Sequence, residues 1–222
     1  MSPTERRTDA GNPDSAPASR NITREVGQVS ASDRAALLGQ QPVTVWLTGL
    51  SGSGKSTLSK AVERRLVEAG RLCYVLDGDN LRLGLNRDLG FSPEDRRENI
   101  RRVAEVAKLM NEAGVTVVTA FISPYREDRE RARRIVGEGT FLEIHLSTDI
   151  TACERRDPKG LYRKARAGEI AEFTGISAPY EAPLAPRIAL DTASASIEEC
   201  TERILATIAA VGAQPSSGKV SR

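Results

Sequence analysis

Runs of apolar and β-branched residues alternate along the chain with stretches in which apolar positions recur at helical spacing. The runs predict five β-strands, over residues 43–47, 72–76, 115–122, 141–146 and 187–190. The helical stretches predict helices over residues 55–69, from Pro93 to a stop at Gly114, over residues 126–136, from Asp149 onward and over residues 197–210. The alternation of the two kinds of element favours βα units and a parallel sheet.

The predicted fold is an α/β domain of three layers, αβα, with helices on both faces of a mostly parallel five-stranded sheet. Residues 115–122 are apolar almost throughout, as in a central parallel strand that is buried on both faces. Residues 1–20 and 211–222 are polar and offer little apolar surface to bury, so we expect both segments to be disordered. The expected domain therefore covers residues 21–210.

The segment after the first predicted strand matches the phosphate-binding pattern GxxxxGK[ST] at every fixed position. It comprises Gly49, Leu50, Ser51, Gly52, Ser53, Gly54, Lys55, Ser56 and Thr57. Glycines let consecutive backbone N–H groups turn toward phosphate oxygens, and the N-terminus of the following helix adds positive potential. Lys55 can reach the β- and γ-phosphates of ATP, and the Ser56 hydroxyl can take a Mg²⁺ coordination position. The segment predicts a P-loop NTPase fold that binds a nucleotide.

The remaining motifs distinguish among the classes of P-loop protein. The guanine-reading tetrapeptide NKxD of GTPases does not occur in the chain. ATPase motors and transporters normally carry an apolar strand that ends in an acidic residue. The only similar run is at residues 73–77, directly after the first helix, which is too early in the chain for that motif. Residues 155–178 are basic and contain glycines, and beside a phosphate loop they predict a mobile lid. These features favour a nucleotide-kinase-like enzyme that acts on a small molecule.

An acidic turn, DGDNLR, follows the second predicted strand. Open α/β sheets bind ligands at the carboxyl ends of their strands, so we expect Asp77, Asp79 and Arg82 beside the P-loop. One carboxylate can hold Mg²⁺ through water, the other can accept the proton of an attacking hydroxyl, and Arg82 can bind an anionic substrate. The residues by themselves leave open which of Asp77 and Asp79 is the base.

Five motifs resemble those of the adenylylsulfate kinase (APS kinase) family and occur in that family's order. They are GLSGSGKST, DGDNLRLGL, GFSPEDRRENIRR, AFISPYREDR and RDPKGLYRKARAGEIAEFTGISAPYEAP. A P-loop alone is common to many families, whereas five motifs in order are specific. The resemblance covers residues 21–210, including a weaker match in the lead-in before the first strand. It implies Mg²⁺-dependent transfer of the γ-phosphate of ATP to the 3′-hydroxyl of adenylyl sulfate, usually by a homodimer.

The resemblance also places nine side chains around the acceptor: Asp79, Arg82, Phe91, Arg96, Asn99, Ile122, Ser123, Lys159 and Phe173. It implies that Asp79 lies next to the reacting hydroxyl and that Phe91 and Phe173 sandwich the adenine of the substrate. Arg96 and Asn99 would hold the phosphosulfate and adenine parts. The metal position would be formed by Ser56 and Asp77. A phenylalanine in a loop is more commonly a local packing anchor, so the adenine clamp depends on the resemblance.

Ser123 matches the position that the family assigns to a phosphoserine intermediate, and two interpretations compete. In the first, Ser123 accepts the γ-phosphoryl group and passes it on, which requires an activating base beside a weak nucleophile. No His or Lys occurs within several residues of Ser123. In the second, the transfer is direct and Ser123 only hydrogen-bonds the substrate. Phosphoryl transfer needs little covalent help from the protein, which favours the second interpretation.

Composition excludes several other classes of protein. The chain has 32 Lys and Arg against 30 Asp and Glu, and a net charge of +2 does not predict a nucleic-acid partner. Three separated cysteines and one histidine, without a CxxC pair, predict neither a zinc cluster nor a disulfide framework. No apolar run reaches the roughly 20 residues that span a bilayer. The N-terminal stretch also lacks the apolar region of a signal peptide, so we expect a cytoplasmic protein without a membrane partner.

Two alternatives remain open from the sequence. The chain could phosphorylate another nucleotide or a small alcohol, or it could be a non-catalytic regulator that binds ATP. Because the chain contains no region of sulfurylase length, we expect any functional coupling to be with a separate ATP sulfurylase.

Overall fold

The computed structural model describes residues 21–23, 25 and 27–212. The segments 1–20 and 213–222, for which the sequence predicts disorder, lie outside the described residues. One parallel sheet has the strand order β2-β3-β1-β4-β5. Its strands are β1 (Thr44–Thr48), β2 (Cys73–Asp77), β3 (Thr116–Ala120), β4 (Phe141–Leu146) and β5 (Ile188–Leu190). All pairs within this sheet are parallel, which confirms the predicted α/β class and is more regular than the mostly parallel sheet expected.

Eight helices are found among the described residues. They are α1 (Ala31–Leu38), α2 (Lys55–Glu68), α3 (Gly78–Arg82), α4 (Pro93–Glu112), α5 (Arg126–Val136), α6 (Ile150–Arg156), α7 (Leu161–Arg166) and α8 (Ile197–Gly212). Helix α1 was not predicted, although Ser30 and Asp33 form a reciprocal capping box at its start. The acidic turn after β2 is in fact the short helix α3, because the Asp77 carboxylate accepts the backbone N–H of Asp79 and caps it.

Two apolar clusters lie on opposite faces of the sheet, as a three-layer arrangement requires. The alternation of side chains along β1 sorts its residues between them. Val45 and Leu47 pack with residues of α2 and α8 on one face. Trp46 packs with residues of α4 on the other face, and its ring lies 5.4 Å from that of Phe141, centroid to centroid. Strand β1 is buried along its whole length, so the P-loop that follows it begins from the rigid centre of the domain.

The strand register brings three connections to the same edge of the sheet. Leu47 of β1 and Asp77 of β2 both pair with Ala120 of β3, so these three strands end at one level. The P-loop, helix α3 and the turn at Ser123 therefore emerge side by side. The chain leaves β3 after Ala120, two residues before the predicted end of that strand. None of the helices in the described part of the chain has the length and apolarity needed to cross a bilayer.

Candidate active site

The P-loop packs closely against strand β4 and helix α6. Gly49 approaches Leu146 so closely that a Cβ atom there would lie 2.7 Å from the Leu146 carbonyl oxygen. At Gly52, φ is +74°, and a Cβ atom would lie 2.8 Å from the carbonyl oxygen of Cys153. Only glycine avoids both the strain and the contact at Gly52. The close packing restricts the backbone conformations that the loop can adopt.

The Lys55 ammonium group is buried within this loop, with 9% of the residue exposed. Its Nζ donates to the carbonyl oxygens of Gly49, at 2.8 Å, and Leu50, at 2.6 Å. Burial lowers the pKa of Lys55 from 10.5 to about 8 because the charged form loses its solvation. Lys55, the predicted phosphate ligand, therefore lies inside the loop, and its pKa of about 8 can be reached in a pH titration of the folded protein.

Nucleotide affinity is expected to decrease as the pH rises through about 8, where Lys55 in the free protein begins to lose its proton. Below that pH the ammonium is charged and attracts phosphate; above it the attraction is lost, although an unperturbed lysine would stay charged to about pH 10.4. The dissociation constant of a non-hydrolysable ATP analogue, measured from about pH 6.5 to about pH 9.5, checks this. Lys55→Met is expected to lack the pH-dependent step, and an unchanged wild-type affinity over the range would contradict the prediction.

The predicted metal pair is brought together at the mouth of the P-loop. The Ser56 hydroxyl donates a 2.8 Å hydrogen bond to Oδ2 of Asp77, whose other oxygen caps α3. The two residues are 21 positions apart in the chain: Ser56 lies on α2, after the P-loop, and Asp77 ends β2, which β3 separates from β1 in the sheet. Both present hard oxygen atoms, the ligand type that Mg²⁺ prefers. In the described part of the chain, no cluster of three or more His, Cys, Asp or Glu side chains could hold a metal on its own.

Asp79 and Lys159, two of the predicted acceptor residues, form an ion pair. Lys159, between α6 and α7, donates from Nζ to Oδ2 of Asp79 on α3. Both side chains are more than half exposed, so this ion pair adds little stability. It does show that the lid segment, residues 155–178, reaches over the carboxylate predicted to face the acceptor.

The lid segment packs onto the P-loop through its own small apolar cluster. Tyr162 is buried, and its hydroxyl donates to the carbonyl oxygen of Ser51 at 3.0 Å. Phe173 is 7% exposed and meets Tyr162 edge-on, with ring centroids 5.0 Å apart. In this conformation Phe173 packs within the apolar cluster of the lid segment, with little of the residue exposed.

Phe91, the other predicted half of the clamp, is 61% exposed. The guanidinium carbons of Arg82 and Arg96 lie 4.3 Å and 5.7 Å from its ring centroid. Arg96 also donates to the backbone oxygens of Phe91, at 2.9 Å, and of Glu172, at 3.0 Å. Arg96 thereby connects the two loops that carry the predicted clamp residues, since Glu172 directly precedes Phe173.

The other predicted acceptor residues are mostly buried. Asn99 is 4% exposed and accepts a hydrogen bond from the side chain of Asn86 at 2.9 Å, so it braces the loop before α4. Ile122 is partly buried, and its carbonyl oxygen accepts from the Thr48 hydroxyl at 2.7 Å. Ser123 is 3% exposed and has φ +41°, a rare conformation for a residue other than glycine. Its Oγ accepts the indole N–H of Trp46 at 3.2 Å.

Two further residues at this edge were missed by the sequence reasoning. Thr192 follows β5, and its hydroxyl donates to the carbonyl oxygen of Ser53 at 3.0 Å. Arg156 donates to the Thr192 hydroxyl at 2.7 Å and to the carbonyl oxygen of Gly52 at 3.2 Å. The rule that ligands bind at the carboxyl ends of parallel strands could have indicated Thr192.

Comparison with known proteins decides the family. A family model described as adenylylsulphate kinase matches residues 41–191. The chain belongs to the adenylylsulfate kinase family. The adenylyl-sulfate kinases of Staphylococcus carnosus and Shewanella pealeana are both 56% identical to it, the first over 84% of this chain and 94% of its own length, the second over 82% and 89%.

Solved structures of the family agree with this assignment. The APS kinase CysC of Mycobacterium tuberculosis, solved in complex with AMPPNP and APS, has a TM-score of 0.74 and 50% identity. That alignment covers 76% of this chain and 98% of the other. The predicted P-loop kinase fold is thus the fold of the family.

Proposed function

We propose that the protein is an adenylyl-sulfate kinase, which transfers the γ-phosphate of ATP to the 3′-hydroxyl of adenylyl sulfate and releases 3′-phosphoadenylyl sulfate and ADP. The observation that carries the proposal is the position of Asp79 and Lys159, which lie beside a complete P-loop in a chain 56% identical to a curated adenylyl-sulfate kinase. The complex of the Mycobacterium tuberculosis relative with AMPPNP and APS supports the same two substrates.

On the donor side, Lys55 and the backbone N–H groups of the P-loop bind the β- and γ-phosphates and neutralise their charge. Ser56 and Asp77 would hold Mg²⁺, and two protein oxygens suit an ion that keeps several waters and takes its remaining ligands from phosphates. When bound, Mg²⁺ stabilises the charge that develops on the phosphate oxygens. Closure of the lid over Ser51 excludes water, which would otherwise compete with the acceptor as nucleophile.

On the acceptor side, Asp79 orients the 3′-hydroxyl and accepts its proton during transfer. Arg82 and Arg96 supply guanidinium groups that match a dianionic phosphosulfate. Lys159 contacts Asp79 from the lid, so lid closure and correct placement of the carboxylate are linked. These roles are positioning, charge neutralisation and one proton transfer, and they need no covalent intermediate with the protein.

The proposed activity is tested by coupled ADP release with adenylyl sulfate, AMP, adenosine and a panel of small alcohols, with the product identified by chromatography. We expect rapid release with adenylyl sulfate alone. Faster ADP release with another acceptor would show that the other acceptor, and not adenylyl sulfate, is the preferred substrate. ATP binding without any acceptor-dependent release would indicate a regulator instead of an enzyme.

Phe91→Ala is expected to weaken binding of adenylyl sulfate by about 1–3 kcal/mol, the range for loss of one aromatic stacking partner, while ATP binding is largely unchanged. The reason is that Phe91 is an exposed ring beside Arg82, on the acceptor side. The KM values for both substrates check this, with Leu184→Ala as a control at an exposed apolar residue outside the site. Equal weakening of both nucleotides, or of neither, would disprove the stacking role.

Ser123→Ala is expected to keep kcat within about tenfold of wild type, with the loss mainly in KM for adenylyl sulfate, because direct transfer needs no covalent intermediate. The one described partner of Ser123 Oγ is the indole N–H of Trp46, which is a donor and cannot act as a base. Transfer from a chirally labelled γ-phosphate is expected to invert configuration at phosphorus. Retention of configuration, together with an inactive Ser123→Ala enzyme, would establish the phosphoserine route.

We also propose a homodimer that is functionally coupled to a separate ATP sulfurylase. The dimer rests on the family resemblance; self-association in general is supported by an APS kinase from Thiobacillus denitrificans that is hexameric, although this chain covers only 29% of that chain. Sedimentation velocity gives the oligomeric state directly, and a monomer at assay concentrations would refute the dimer.

A further inference from the structure

Arg129, on α5, makes three hydrogen bonds from a buried position at the edge of the site. The residue is 2% exposed. Its Nε donates to Oε1 of Glu143 on β4 at 2.7 Å. Its two terminal nitrogens donate to the carbonyl oxygen of Ser123 and to that of Glu181, each at 2.7 Å. A planar guanidinium with donors in a fixed fork can hold three acceptors in this way; a lysine ammonium, a point charge on a flexible stem, cannot reproduce it.

The two carbonyl oxygens belong to parts of the site that the sequence separates widely. Ser123 lies in the strained turn after β3, and its φ is +41°. Glu181 belongs to the segment Tyr180–Ala182, which we call the return strap because the chain comes back through it from the lid. Arg129 therefore joins the acceptor turn to the root of the lid, and it lies 52 positions of sequence before Glu181.

Four more hydrogen bonds fasten the return strap, one to the turn itself, two to the first residue of α5 and one to β1. The N–H of Glu181 donates to the Pro124 carbonyl oxygen at 2.9 Å, and the Glu181 carboxylate accepts the N–H of Arg126 at 2.8 Å. The second bond caps α5, which has no side-chain cap of its own. Arg126 also donates from Nε to the Ala182 carbonyl oxygen at 2.7 Å, and the Tyr180 hydroxyl bonds that of Thr48 at 3.0 Å.

Burial of the Arg129–Glu143 pair costs desolvation free energy, which only good geometry and further hydrogen bonds offset. Removing two charges from water costs several kcal/mol per ion, and apolar replacements are often equally stable, so a buried pair is weak evidence for a stabilising role. Every donor position that Arg129 uses beyond Glu143 is directed to a backbone oxygen of the acceptor turn or the return strap. The hydrogen bonds of Arg129 thus fix the backbone of the Ser123 turn relative to that of the return strap.

We propose that Arg129 is a positioning residue for phosphoryl transfer, because it holds the Ser123 turn and the return strap of the lid at a constant separation on the acceptor side. It touches neither the P-loop nor Asp79 in the structure. Its effect is exerted on acceptor binding and alignment, not on nucleotide binding. The inference depends on the proposed kinase activity and adds a residue to the acceptor half of that site.

The test compares Arg129→Lys with Arg133→Lys. Arg133 lies one turn later on α5 and pairs with Oε2 of the same Glu143 at 3.1 Å, but it contacts neither carbonyl. For Arg129→Lys we expect kcat/KM for adenylyl sulfate to fall by about tenfold or more, as for a misaligned reactant, with affinity for a non-hydrolysable ATP analogue within about twofold of wild type. Arg133→Lys is expected to match wild type in both measurements.

A second variant addresses the case in which Arg129→Lys does not fold. Arg129→Met combined with Glu143→Gln leaves neither of these two charges buried without its partner and still lacks the bridge. It is expected to show the same loss with adenylyl sulfate and the same retained nucleotide affinity. Wild-type kinetics in either folded Arg129 variant, or an equal loss for both substrates, would overturn the proposal. Absence of adenylyl-sulfate-dependent ADP release in the wild type would instead refute the proposed function.

Discussion

Lys55→Ala is expected to lower turnover by about 10²–10³ or more, the loss found when one preorganised charge-stabilising donor is removed from an enzyme site. Lys55 is buried within the P-loop, where an electrostatic interaction is stronger than in water. The Nζ of Lys55 bonds only atoms of the loop itself, the carbonyl oxygens of Gly49 and Leu50 and the Ser53 hydroxyl, so the rest of the domain is expected to remain folded. Coupled ADP release at saturating adenylyl sulfate, with circular dichroism for the fold, measures both quantities.

Lys60→Ala is the matched control for that prediction. Lys60 lies on the same helix, α2, and is exposed. Lys60→Ala changes the net charge by the same amount as Lys55→Ala but removes no positive charge from the phosphate site, so wild-type rates are expected. Normal turnover in Lys55→Ala would mean that the P-loop is not the catalytic phosphate site.

Asp79→Asn is expected to lower kcat by about 10²–10⁴, the usual loss on removing a general base. The substitution keeps the shape of the side chain and its hydrogen bonding to Lys159 but removes the proton acceptor. Asp77→Asn is expected to behave differently, because Asp77 bonds Ser56 at the predicted metal position. Its main effect should be a higher Mg²⁺ concentration for half-maximal rate, with partial recovery at saturating Mg²⁺.

Titration of the rate with Mg²⁺ for both variants separates the two roles. Asp88→Asn serves as a control, since Asp88 is exposed and pairs with Arg102 away from the P-loop. If Asp77→Asn abolishes turnover at every Mg²⁺ concentration while Asp79→Asn changes it less than about threefold, the two carboxylates have the opposite roles.

Elements of secondary structure were predictable because their signals are local. The five predicted strands overlap the observed ones, and Ser92 with Pro93 marks the observed start of α4. The P-loop was predictable for the same reason, since its glycines and Lys55 lie within nine consecutive residues. Helix α1 was missed although its capping pair, Ser30 and Asp33, is present in the sequence, because only one of its eight residues, Ala35, is buried and the apolar periodicity is weak.

Side-chain position could not be predicted in the same way. Phe91 and Phe173 both lie in loops with neighbouring glycines, yet one ring is exposed and the other is buried against Tyr162. The difference arises from the partner that the fold supplies to each ring. The clamp assigned by the family resemblance therefore stays a prediction for both residues.

The sequence by itself determined the class of fold, the phosphate loop and the family, because each depends on residue types at short, fixed spacings. Only the tertiary structure decided that Asp77 would meet Ser56, that Asp79 would meet Lys159, and that Arg129 would join Ser123 to Glu181. These contacts span up to 80 residues of chain. They exist because parallel strands end at one level of the sheet and bring distant connections to the same edge, which no local spacing encodes.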